Sequence, residues 1–152
     1  MSATAASAHT PAASTASFMA RRPVWQVSYL SGLAASVVVE TWGLAARAAG
    51  VPMRAAGVGA HHAMPIAVGM FAMGTMVVVF WFTFAVAAIA RFAKNPERAY
   101  LRTALPLLAL SLAVPLTAAD TPISTKLTLA AAHLIAGAII VPVMARRLSR
   151  PR

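Results

Sequence analysis

The chain has 152 residues and contains no cysteine. It carries only three acidic side chains, Glu40, Glu97 and Asp120, against thirteen Lys and Arg. The missing cysteine excludes disulfides, thiolate metal centres, cysteine-linked haem and cysteine nucleophiles together. With so few carboxylates, no paired acid–base arrangement can be read from the sequence. A glycine-rich phosphate loop and a nucleophile elbow are missing as well. Charged residues make up 11% of the chain, where a soluble domain has about a quarter. No internal repeat stands out, and no charged segment precedes Arg21, as a typical secretory signal would require.

What is present is long apolar sequence. Hydrophobic residues make up 60% of the chain, gathered mainly into residues 24–46, 64–90, 103–119 and 127–145. At about 1.5 Å of rise per residue each run crosses, or nearly crosses, a hydrocarbon core of about 30 Å. Only Glu40 and His133 interrupt these runs with an ionisable group. The expected fold is all-α: a four-transmembrane-helix bundle, up-down-up-down, formed by residues 21–148. Residues 1–20, rich in Ala, Ser and Thr, are expected to be a disordered tail. Residues 149–152 form a short basic C-terminal tail. Arg21-Arg22 before an apolar run resembles the opening of a twin-arginine export signal, but the run is too long for one and three more spans follow.

The net charge is +10, and it is distributed unevenly. Arg21 and Arg22, then Arg91, Lys94, Arg98 and Arg102, then Arg146, Arg147, Arg150 and Arg152 would all lie on one side of a membrane. Arg47, Arg54 and Lys126 would lie on the other. Positive loops stay inside, so the expected location is the cytoplasmic membrane with the N- and C-termini both cytoplasmic. The basic residues sit at the ends of apolar segments and are not interleaved with aromatics. Anionic lipid headgroups are therefore the expected partners and nucleic acid is not. Other membrane proteins or a second copy of the chain are further candidate partners.

Within the spans, Tyr29, Gly32, Ser36, Glu40, Gly43 and Arg47 form a stripe at helical spacing that would let another helix approach closely. Met64, Met70, Met73 and Met76 read as adaptable packing rather than a metal relay. Pro106 and Pro115 in the third run and Pro142 in the fourth predict bends. Asn95-Pro96 reads as a turn in the basic loop.

Glu40 and His133 are the candidates for chemistry. Each lies seven residues from a basic side chain at the outer end of its run (Arg47 and Lys126), about 10 Å of rise. They should therefore share a depth in the outer half of the membrane. First and last helices of an up-down bundle are commonly neighbours, so an intramembrane Glu40–His133 pair is expected. It would be structural, or it would handle protons or bind a ligand. His61, His62 and Asp120 are polar groups on the outer side. Adjacent histidines lack the i, i+4 spacing of a helical metal site, so no metal site and no cofactor is expected. The expected function is structural or accessory and non-enzymatic. The alternative is a small proton-coupled transporter or ligand-binding membrane protein using the Glu–His pair.

Leu110-Ser111, Pro115, Asp120, His133-Leu134, Pro142 and Arg146-Arg147 together resemble a family of small four-span actinobacterial integral membrane proteins of unknown function, over about residues 22–148. The resemblance implies the four-span topology. It supplies no substrate, cofactor or catalytic residue.

Overall fold

The computed structural model describes residues 22–150. The expected disordered tail, together with Arg21 and residues 151–152, lies outside them. Four helices account for most of this length: α1 (Val24–Ala48), α2 (Met70–Phe92), α3 (Pro96–Thr117) and α4 (Ile123–Leu148). All four are long and apolar enough to cross a membrane. Large apolar side chains face outward along each of them, among them Val37, Val78, Trp81, Phe84, Leu110 and Leu134. A water-soluble bundle would bury such an apolar surface, and in lipid it is the expected exterior.

Three helix starts differ from the expectation, the last by one turn, since α4 opens at Ile123 rather than near residue 127. The second helix begins at Met70 rather than near residue 64. Met64–Pro65 instead forms strand β2, antiparallel to β1 (Arg54–Ala55), with Arg54 opposite Pro65 and Ala55 opposite Met64. Pro65 and the left-handed Gly69 (φ 90°) keep this stretch out of the helix. The third helix begins at Pro96, well before the apolar run. The Asn95 side chain accepts a hydrogen bond from the Arg98 N–H at 3.1 Å, and Pro96 occupies the first helical position. The expected basic loop is thus only three residues long, 93–95, and Arg91, Arg98 and Arg102 lie on helix.

In cross-section α1 packs closely on both α2 and α4, and α4 also holds α3. The α2–α3 contact is sparse. The small-residue stripe of α1 faces α2. A Cβ added to Gly32 would lie 2.7 Å from Val79 Cγ1, and one added to Gly43 would lie 3.0 Å from the Phe71 ring, so glycine sets the approach of the two helices. On the same seam the Ser28 and Thr83 hydroxyls bond at 2.7 Å, and the Ser36 hydroxyl donates to the Ala72 carbonyl at 3.4 Å. Between α3 and α4, Gly137 admits the side chain of Leu108 in the same way.

The bundle contains two cores. One is apolar and draws on all four helices, with Val27, Val86, Tyr100, Ala104 and Met144 at its centre. It lies at the end where the described residues begin and end, marked by the Arg147 Nε bond to the Arg22 carbonyl at 3.0 Å. The other joins Val39, Ala46, Phe71 and Ala132 to Met53 and Ile66 of the 49–69 connection, and no residue of α3 belongs to it. These ends are called the terminal end and the loop end below.

Candidate functional site

The polar residues singled out by sequence nearly all lie at the loop end. Glu40 is half-buried on α1, two turns below that helix's end. Its Oε1 accepts the Gly69 N–H at 2.7 Å and its Oε2 accepts the Ala72 N–H at 3.0 Å. The physical reason lies in α2. A helix start leaves backbone N–H groups without partners, and a glycine at the capping position has no side chain to satisfy them. Glu40 supplies the cap from the neighbouring helix, and its negative charge suits the positive end of the helix dipole.

The expected Glu40–His133 pair is therefore not formed. His133 is half-buried on α4 with Nδ1 2.7 Å from the Leu129 carbonyl of its own helix. A carbonyl only accepts, so Nδ1 carries the proton. Spacing from the basic ends speaks to height along each helix and says nothing of direction around it. Glu40 turns to α2, where two unsatisfied donors await it.

The remaining groups stitch the 49–69 connection down. Arg47 donates to the Ile66 carbonyl at 2.7 Å, which runs residues 66–69 back along α1 toward Glu40. Asp120, expected as a polar group on the outer side, bridges two connections. Its Oδ2 accepts the Ala63 N–H at 3.1 Å and lies 3.8 Å from Arg54. Its own backbone is left-handed, with φ 46°. Thr121 accepts the Ala56 N–H at 3.0 Å, and Thr125 donates to the Pro52 carbonyl. On the flank, Trp42 donates its indole N–H to the Thr128 carbonyl at 3.0 Å, tying α1 to α4. Lys126 reaches the Leu116 carbonyl at 3.3 Å.

His61 and His62 are exposed in the connection and take part in none of these bonds. Among the described residues no three His, Cys, Asp or Glu side chains gather closely enough to hold a metal ion. Arg54, Asp120, Thr121 and Pro122 line a shallow depression open to solvent. Chemically it offers one ion pair and one hydroxyl already engaged with the backbone. No local pattern marks Thr121, Thr125 or Trp42 as tethers. The length of the 49–69 connection was the available cue, since a long segment without helix in a compact domain needs contacts to hold it.

Fold and site together define a multi-pass, four-helix membrane protein whose candidate site residues gather at the loop end. The chain belongs to the family of unknown function DUF6069, whose model matches residues 19–150. No curated protein and no solved structure matches it.

Proposed function

We propose that the protein is a non-enzymatic, structural or accessory component of the cytoplasmic membrane. In this reading both termini and the α2–α3 turn are cytoplasmic, and residues 49–69 and 118–122 face outward. It works among membrane lipids and beside other membrane proteins or a second copy of itself. An actinobacterial source fits the alanine-rich composition and the preference for Arg over Lys.

The observation that carries the reading is the commitment of Glu40. The one carboxylate inside an apolar run of the sequence has both oxygens on backbone N–H groups at the start of α2, those of Gly69 and Ala72. A proton carrier or ligand-binding group needs an oxygen facing a path or a cavity. The competing reading, proton-coupled transport through Glu40 and His133, asks one residue to hold a helix start and to release it in every cycle.

The test is a flux measurement. Purified protein is reconstituted into vesicles with a trapped pH-sensitive dye, and a pH step is imposed. The expected decay matches protein-free vesicles. Faster decay that returns to the protein-free rate in Glu40→Gln or His133→Ala would overturn the structural reading.

A further inference from the structure

The basic side chains at the two ends of the bundle are used differently. At the loop end each has a partner inside the chain: Arg47 the Ile66 carbonyl, Arg54 the Asp120 carboxylate and Lys126 the Leu116 carbonyl. At the terminal end, Arg91, Lys94, Arg98, Arg102 and Arg146 are exposed, and their side chains make no hydrogen bond or ion pair with the described residues. Glu97 is the single acid among the described residues at that end, and it is not paired with them. Unpaired cations gathered at a bundle end where helices emerge from lipid call for anions supplied from outside the chain.

On α3 this charge is organised along one face. Arg98 and Arg102 are one turn apart. Leu105 and Ala109 continue the same face toward the membrane centre, and all four are exposed. Two cations followed by about 10 Å of apolar helix surface match a phospholipid, with phosphate at the boundary and acyl chain running inward. Guanidinium groups suit a phosphate because their forked donors meet its oxygens in pairs.

We propose that Arg98 and Arg102, helped by Lys94 across the turn, bind the phosphate of an anionic phospholipid whose acyl chain lies along Leu105 and Ala109. The site rests on the membrane reading above but not on which side is cytoplasmic, so a reversed orientation leaves it standing. It goes beyond a diffuse attraction of positive ends to lipid, because it places the lipid at α3 and not at Arg146 and Arg150 on the C-terminal side.

The protein, purified in a non-ionic detergent, is titrated with phosphatidylglycerol, phosphatidylcholine or inorganic phosphate, and the thermal unfolding midpoint is followed. Phosphatidylglycerol should raise the midpoint saturably, and the other two should leave it near its starting value. In Arg98→Gln/Arg102→Gln the apparent affinity should fall about thirtyfold, at roughly fivefold per basic residue beside an anionic headgroup. Arg146→Gln/Arg150→Gln should change it less than threefold on the same scale. Since the Arg98 and Arg102 side chains are exposed and make no hydrogen bond or ion pair with the described residues, the first variant should keep the lipid-free midpoint of the parent. Should it not, Arg98→Lys/Arg102→Lys keeps the charge but loses the forked donors, and its affinity should fall between those of the parent and the Gln variant. Equal loss in the two double variants, an equal response to phosphatidylcholine, or saturation by inorganic phosphate would each overturn the site.

Discussion

The two ends of this bundle hold four helices together by opposite means. At the terminal end the core is apolar, all four helices contribute, and α2 and α3 are joined by three residues. At the loop end α3 drops out of the core and a 21-residue connection between α1 and α2 takes its place. There the helix starts, carbonyls and turns are tied by Glu40, Arg47, Asp120, Thr121 and Thr125. An apolar core in lipid gains little from the hydrophobic effect and relies on close packing, whereas a long connection needs its backbone groups satisfied one by one. Charge at the loop end is thus consumed by structure, whereas at the terminal end Arg91, Lys94, Arg98, Arg102 and Arg146 keep their side chains for the surroundings.

The largest expected effect concerns sidedness. With no native cysteine in the chain, single cysteines report accessibility without background. Gly57→Cys, in the exposed part of the 49–69 connection, should react with a membrane-impermeant maleimide in intact cells. Lys94→Cys, in the α2–α3 turn, should react only after permeabilisation. The result is all-or-none, because the two ends lie on opposite sides of the bilayer. The reverse pattern would keep the structural contrast between the ends and exchange their compartments.

A smaller effect tests whether the loop end depends on its polar ties. Glu40→Ala removes a charged acceptor from two N–H groups, and hydrogen bonds to charged groups contribute about 1.5–3 kcal/mol each. Those donors are partly exposed at the loop end, where water replaces part of the loss, so a total destabilisation of about 2–3 kcal/mol is expected. Glu40→Gln keeps one carbonyl oxygen and should lose about half of that. Hydrogen exchange should localise the damage, with faster exchange over residues 66–73 and little change over residues 86–104. Uniform acceleration would mean that the two ends unfold as one unit, and the distinction drawn between them would fail.

The spans were legible because a long apolar run has no other reading at this composition. The stripe on α1 was legible too: Gly32, Ser36, Glu40, Gly43 and Arg47 share a face and pack against α2 or the segment leading into it. Its partner was not. Residue spacing gives height along a helix and direction around that helix alone, and α1 has neighbours on two sides. The deciding feature was a local absence: Gly69, before Met70, offers no capping side chain. The start of α3 shows the converse. Asn95-Pro96-Glu97 is a capping signature, yet the charges of Arg98 and Arg102 hid the first turns of a helix that opens before its apolar run. The stitches from Thr121, Thr125 and Asp120 to the 49–69 connection join residues more than fifty positions apart. No local pattern encodes a pairing at that separation.

The smallest expected effect separates the two bonds of Asp120. Its ion pair with Arg54 is long, at 3.8 Å, and both side chains are 53% exposed. Such pairs contribute about 0–1 kcal/mol. The hydrogen bond from Ala63 is shorter, and the backbone at φ 46° is one that Asp and Asn tolerate better than other residues with a Cβ. Asp120→Asn keeps the acceptor and the backbone preference and removes only the charge, so a loss below about 0.5 kcal/mol is expected. Asp120→Ala removes all three and should cost about 1–2 kcal/mol, from one lost hydrogen bond plus left-handed strain. Unfolding midpoints at low and high salt distinguish the contributions. The Asn variant should lose the small salt sensitivity of the parent, and the Ala variant should stay destabilised at every salt concentration. If Asn proved as damaging as Ala, the ion pair rather than the backbone bond would hold the two connections together, and the loop end would depend on charge even where it meets water.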